Sequence, residues 1–183
     1  HHPELARSLR KEVSYFTRNY GEGEGWYRAH FTLAARRSVA TARGRRLLAF
    51  EATPDYLLHP DVPARAAALV PDAALVVLLR DPVARAVSHW RHMTALGFES
   101  LSLEDALDQE DDRLAGDLDR LQVEPTFDPR SLLRFSYVAR GRYAEQLERW
   151  WAHYPRDRTL VVRSEDLYAD PARTYAEVLA FLR

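Results

Sequence analysis

Ala74-Leu75-Val76-Val77-Leu78-Leu79-Arg80-Asp81-Pro82-Val83-Ala84-Arg85-Ala86-Val87-Ser88-His89-Trp90 decides the fold. It opens with six apolar residues, β-branched in the middle, which is strand length. It then breaks into Arg-Asp-Pro. Val83, Val87 and Trp90 recur at i, i+4, i+7, the spacing of one helix face. Asp81 suits the N-cap, and Pro82 suits the first helical position, where a missing N–H costs nothing. The stretch therefore predicts a buried strand running straight into a helix. A helix N-terminus offers unpaired N–H groups and the positive end of a dipole. Arg80 adds a permanent cation there, and its planar fork matches a phosphate. Ser88, two turns in, can add a hydroxyl. The unit is suited to an anion, although by spacing alone the commoner reading is an ordinary polar strand-to-helix turn with Arg80 paired to a carboxylate.

Other blocks extend the pattern. In chain order they are Lys11-Glu12-Val13-Ser14-Tyr15-Phe16, Gly23-Glu24-Gly25-Trp26-Tyr27, Glu51-Ala52-Thr53-Pro54-Asp55-Tyr56, and Gly141-Arg142-Tyr143 followed by Leu147, Trp150 and Pro155. Together with the Arg80–Ser88 segment, this ordered set resembles the sulfotransferases that use PAPS (3′-phosphoadenosine-5′-phosphosulfate). It is closest to their heparan-sulfate branch, the N-deacetylase/N-sulfotransferases and 3-O-sulfotransferases. The resemblance covers nearly the whole chain. It implies a parallel-sheet, P-loop-type α/β fold as one domain over 1–183, with PAPS as sulfuryl donor and PAP as product. It implies that Arg80 and Ser88 bind the 3′-phosphate, that Glu12 is the catalytic base, and that Tyr143 lies on the nucleotide side.

Chemistry explains the base. An acceptor hydroxyl must lose its proton as it attacks sulfur, and a positioned carboxylate can take it. Read without the resemblance, Glu12 beside Lys11 is an ordinary surface pair. Two positions depart from the family. Ala52 stands where heparan-type members commonly carry a lysine, and Ser14 stands where they often carry histidine. Glu51 is a second candidate carboxylate, with a structural role as the alternative. The family's first strand and phosphosulfate loop have no counterpart here, nor does its later nucleotide-covering segment. On the resemblance, the chain is expected to be a fragment cut at both ends.

Composition sets outer limits. The 183 residues are 46% hydrophobic, enough for a sizeable core, and a net charge of −1 gives no global basic field for nucleic acid. No apolar run approaches the roughly 20 residues of a membrane span. There is no cysteine, which removes disulfides and thiolate metal sites and suits a reducing, cytoplasmic setting. Lys11 is the single lysine among 26 basic residues, the mark of GC-rich coding and so of a bacterial source. No metal is expected, because no His-rich or Cys-rich spacing accompanies the acids.

The remaining expectations are structural. Leu5, Leu9 and Val13 predict a helix. Gly21–Gly25 reads as a mobile acidic turn. From Gly25 to Phe50 there are six arginines (Arg28, Arg36, Arg37, Arg43, Arg45, Arg46) and no acid. That run reads as a solvated helix face, with a surface for an anionic glycan as the alternative. Leu47–Phe50 predicts a second buried strand, and Val62–Val70 a short helix. Glu99–Asp119 carries nine acids and reads as a solvated helical insert opened by a Ser102/Asp105 capping box. Asp128–Gly141 reads as a loop. Tyr143, Leu147, Trp150 and Trp151 form a core stripe. Thr159–Arg163 predicts a third strand, and Asp170-Pro171 opens a last helix with Tyr175, Val178, Leu179 and Leu182 inward. The alternation of strands and helices is α/β. The acceptor implied by the branch is a glycan or other small molecule. A kinase-like phosphotransferase and a non-catalytic nucleotide-binding module are the rival readings.

Overall fold

A computed structural model describes residues 2–31, 42, 44, 47–124 and 127–183. The chain divides into two compact units, His1–Val62 and Pro63–Arg183.

In the first unit, strand β1 (Leu5–Arg7) pairs in parallel with β2 (Leu48–Phe50), Leu5 opposite Leu48 and Arg7 opposite Phe50. The helix expected from Leu5 to Val13 is therefore a strand and a bent loop. The backbone donors show why. Leu48 N–H donates to the Glu4 carbonyl, Ser8 N–H to the Phe50 carbonyl, and Leu9 N–H to the His30 carbonyl. Sheet pairing takes the groups a helix would have paired internally, overriding local periodicity. Leu9, required on the helix's inner face, is 80% exposed. Strand β2 is not buried either, for Phe50 stands largely in solvent.

The glycine-rich stretch is helical rather than a simple turn. A 3-10 turn at Tyr20–Glu22 leads into helix α1 (Gly23–Ala29). Gly23 takes a positive φ of 83° at that junction, a conformation open to glycine at no steric cost. The helix is anchored by Tyr27, whose ring stacks on Tyr15 at 4.6 Å and meets Phe16 at 5.2 Å. Val13, Tyr15, Phe16 and Tyr27 are buried and form this unit's core. Of the six arginines, Arg28 lies on α1 and pairs with Glu24. The other five lie outside the described residues.

The second unit contains helix α2 (Val62–Leu69, beginning at the unit boundary) and strands β3 (Leu75–Leu79) and β4 (Thr159–Arg163). The two strands are parallel, with Leu75 opposite Thr159 and Leu79 opposite Arg163. The parallel pairing matches expectation, but each described sheet has two strands. Strand β3 is also not buried. Its residues alternate, and Val76 and Leu78 are 44% and 52% exposed.

Helix α3 (Pro82–Ala95) follows β3 directly, as predicted. Val83 lies exposed at its start, so the inward face begins later, with Trp90 and Met93 packing on Ala106 and Tyr137. Next come α4 (Leu103–Asp108), α5 (Glu110–Val123) and α6 (Arg130–Phe135). The N-cap half of the box is present: Ser102 Oγ accepts from Asp105 N–H at 3.1 Å and donates to Asp105 Oδ2 at 2.8 Å. Ser102→Ala should destabilise the protein by about 1 kcal/mol, read as a lower denaturation midpoint at unchanged slope.

The acid-rich segment is helical and six of its nine acids are exposed, as a solvated insert requires, but two depart from that reading. Glu99 and Glu110 are buried and serve as hubs. The Glu99 carboxylate accepts from Ser100 N–H, Leu101 N–H, Arg113 Nη1 at 2.7 Å and the Tyr137 hydroxyl at 2.8 Å. Glu110 accepts from the Val138 and Ala139 amides, and Asp117 from the Leu132 amide. The stretch expected as a loop from Asp128 is helical over α6, where Asp117 satisfies a first-turn backbone donor, and Glu110 does the same for the 3-10 turn at Ala139–Gly141.

Helix α7 (Tyr143–Trp151) buries Leu147 and Trp150 as the stripe requires. Two helices follow β4. One, α8 (Ser164–Ala169), has no counterpart in the sequence reading. The other, α9 (Pro171–Phe181), is capped by Asp170 accepting from Arg173 N–H. On α9 the fully buried residue is Thr174, while Tyr175 is 46% exposed. No described helix is long and apolar enough to cross a membrane.

Candidate functional site

The candidate side chains fall into two groups, one in each unit. In the second unit, parallel register sets the C-terminal ends of β3 and β4 side by side, with Leu79 opposite Arg163. Open α/β sheets place ligands at that end of their strands. Arg80 follows β3 and is exposed, with no carboxylate partner among the described residues. Pairing with an acid, the other role open to it, is not what the structure shows. Ser88 is exposed two turns along α3.

The backbone around Arg80 is fixed from three sides. Asp81 Oδ1 accepts from Ala84 N–H at 2.7 Å and caps α3. Asp81 N–H donates to Glu165 on α8 at 3.0 Å. The Tyr143 hydroxyl donates to the Arg80 carbonyl at 3.0 Å. Arg80 and Tyr143, 63 residues apart in sequence, are thus brought into direct contact. The capping also changes the expected anion chemistry. Pro82 has no N–H and Ala84 N–H is taken by a carboxylate, so the Arg80 side chain, rather than the first turn of the helix, is the principal group offered to an anion.

Arg85 and His89 lie one and two turns into the same helix. The Arg85 guanidinium donates to the Tyr137 carbonyl and also interacts with the Tyr143 hydroxyl. Gly141 sits against the start of α3, where an added Cβ would lie 3.1 Å from Pro82 Cβ. Burial, helped by the nearby cations of Arg140 and Arg85, pushes His89 down to about 3, so its ring is neutral at physiological pH. Neither Glu165 nor Arg85 was singled out by sequence reasoning. The signal for Glu165 was its place just after β4, informative only once β4 is known to neighbour β3.

In the first unit, Glu12 is half-buried in the loop after β1. Glu51 ends the β2 side and is held by hydroxyls. Tyr56 donates to its carboxylate at 3.1 Å, and Thr53 Oγ1 donates to Oε2 at 3.2 Å. Burial raises the Glu51 carboxyl above its usual range, against the opposing hydrogen bonds of Tyr27, Tyr56 and Thr53. Tyr56 is raised as well, by burial and by the Glu51 charge. Ala52 is exposed and supplies no cation. No group of three or more metal-ligating side chains exists among the described residues.

Residues 57–183 match the sulfotransferase domain family. The chain belongs to the sulfotransferase family. The matched span contains Arg80, Ser88 and Tyr143. Relatives of this sulfotransferase chain include heparan sulfate glucosamine 3-O-sulfotransferase 3B1 of Mus musculus, 32% identical over 186 residues, covering 99% of this chain and 40% of the relative. Heparan sulfate glucosamine 3-O-sulfotransferase 6 of Homo sapiens is 30% identical, covering 99% of this chain and 45% of the relative. The bifunctional heparan sulfate N-deacetylase/N-sulfotransferase of Drosophila melanogaster is 30% identical over 94% of this chain and 16% of its own length. The sulfotransferase chain thus spans less than half the length of these relatives. A solved sulfotransferase from Alicyclobacillus acidocaldarius has the same α/β fold, at TM-score 0.67 and 24% identity, over 99% of this chain and 71% of that one.

Proposed function

We propose that this sulfotransferase transfers the sulfuryl group of PAPS to a hydroxyl or amine of a carbohydrate. The observation that carries this reading is the exposed Arg80 guanidinium, free of any described carboxylate, at the C-terminal end of β3 in a matched sulfotransferase domain. The residues present fit a 3′-phosphate. Arg80 offers a planar donor fork, and Ser88 a hydroxyl on the helix that Arg80 introduces. Tyr143 touches the Arg80 carbonyl and holds the turn, while Asp81 and Glu165 fix the adjoining backbone.

PAPS supplies an activated sulfuryl group bonded to its 5′-phosphate oxygen and leaves as PAP. The acceptor oxygen or nitrogen would form the new bond to sulfur as the bond from sulfur to that phosphate oxygen broke. Glu12 takes the acceptor's proton. Arg80 and Ser88 hold the 3′-phosphate, so their work is positioning, as in phosphoryl transfer. The carbohydrate acceptor rests on the relatives, whose names specify heparan sulfate glucosamine. Ala52 offers no cation of its own to the transferring group, so on this reading an arginine elsewhere supplies that charge or the acceptor chemistry differs.

The test is transfer of labelled sulfate from PAPS to a heparan-type polysaccharide by the full-length protein. Label in the polysaccharide supports the reading. A protein that binds PAP yet moves label to no carbohydrate overturns it. In the same assay Ser88→Ala should raise the KM for PAPS by roughly ten- to a hundredfold with little change in kcat, because it removes one hydrogen bond to a charged group made equally in ground and transition states.

A further inference from the structure

We propose that Glu51 is a positioning residue for the loop that carries Glu12, acting through the Thr53 and Tyr56 hydroxyls on the Ser14 and Phe16 amides. This rests on the reading of Glu12 as the base. Two relays run in parallel. Ser14 N–H donates to Thr53 Oγ1 at 3.2 Å, and Thr53 Oγ1 donates to Glu51 Oε2 at 3.2 Å. Phe16 N–H donates to the Tyr56 hydroxyl at 3.4 Å, and that hydroxyl donates to the Glu51 carboxylate. Each hydroxyl accepts from a loop amide through a lone pair while its own proton goes to Glu51. The carboxylate therefore anchors both hydroxyls with their lone pairs turned to the loop.

The loop needs such restraint. Ser14 adopts a positive φ of 52°, which a residue with a Cβ holds only when its surroundings enforce it. The Ser14 carbonyl is also held, accepting from Asn19 N–H at 3.1 Å and Thr17 Oγ1 at 3.2 Å. Asn19 Nδ2 donates to the Val13 carbonyl at 2.9 Å. Residues 13–16 are thereby fixed on both edges, and Glu12 enters this fixed segment one residue earlier. Thr53 is buried and Glu51 half-buried, so water competes poorly for the relays. A side chain that must accept a proton benefits from a backbone already in place.

The experiment compares Thr53→Val, Thr53→Ser, Tyr56→Phe and Glu51→Gln in the full-length protein. The readouts are amide hydrogen exchange at Ser14 and Phe16, kcat for sulfuryl transfer, and affinity for PAP. Thr53→Val should speed exchange at Ser14 and lower kcat, each by roughly tenfold, the worth of one neutral hydrogen bond. PAP affinity should stay within about twofold, since Arg80 is untouched. Thr53→Ser, which keeps the hydroxyl, should restore both values. Tyr56→Phe should speed exchange at Phe16, and Glu51→Gln at both amides. Unchanged exchange in Glu51→Gln, or in Tyr56→Phe should the former not fold, overturns the positioning role. So does faster exchange with unchanged kcat. Failure of the underlying reading looks different: Glu12→Gln would then turn over normally, whatever the amides do.

Discussion

Replacing Glu12 by glutamine should lower kcat for sulfuryl transfer by about 10²- to 10⁴-fold while PAP still binds with its original affinity. The amide keeps the size and polarity of the carboxylate but cannot take a proton. The acceptor oxygen must then attack sulfur while keeping its hydrogen, and the transition state carries a charge that nothing relieves. Ground-state binding does not depend on that proton. The loss should therefore fall on kcat and on kcat/KM alike, the pattern of an interaction made only in the transition state. Steady-state transfer assays with PAPS, paired with PAP titration, separate the two quantities. Full turnover in Glu12→Gln would remove Glu12 as the base and leave Glu51 as the next carboxylate of the same unit.

Glu99→Ala should destabilise the protein by about 3–5 kcal/mol, the cost of removing one partner from a buried ion pair. The Glu99 side chain is fully buried and Arg113 is 22% exposed. Alanine would strand the Arg113 guanidinium, the Tyr137 hydroxyl and the Ser100 and Leu101 amides. Denaturant unfolding measures the loss. The same residue sets a pH dependence. Burial alone would raise Glu99, but the Arg113 guanidinium, the Leu101 amide and the Tyr137 hydroxyl outweigh it and bring the carboxyl down to about 2. A depressed carboxyl contributes stability that is complete above its unfolded value near 4.5 and is lost as pH falls toward 2. His89 adds to the acid side. Its folded value near 3 lies below the unfolded 6.5, so its contribution is complete above 6.5 and declines as pH falls below that. Stability should therefore decline from pH 6.5 downward and steepen below 4.5, and Glu99→Ala should flatten the lower part of the curve.

The unit from Leu75 through α3 was legible because every local signal agreed. An apolar β-branched run, an N-cap aspartate, a proline at N1 and a helical apolar spacing all point one way. The Ser102 cap and the α7 stripe were legible for the same reason. Leu5–Val13 misled because its spacing of four satisfies a helix while its backbone pairs with β2, about 40 residues on, through contacts no local pattern encodes. Glu99 and Glu110 misled in the opposite direction. Carboxylates are seldom buried unless paired, and the partners here, Tyr137 and the Val138 and Ala139 amides, are 28 to 38 residues away. At the candidate site, Arg80, Ser88 and Tyr143 were named from motif positions, and the structure joins Tyr143 to Arg80. The role of Glu165 was invisible because it depends on which strand lies beside β3.

The most direct measurement of the central claim is calorimetric titration of PAP against 5′-AMP with the full-length protein, repeated with Arg80→Ala. The two nucleotides differ by the 3′-phosphate alone. Tight PAP binding, weak AMP binding, and loss of roughly ten- to a hundredfold in PAP affinity in Arg80→Ala with AMP affinity unchanged are the predicted results. Equal binding of PAP and AMP, or a preference for PAP that survives Arg80→Ala, would contradict the assignment of Arg80 to the 3′-phosphate and the sulfuryl-transfer reading built on it.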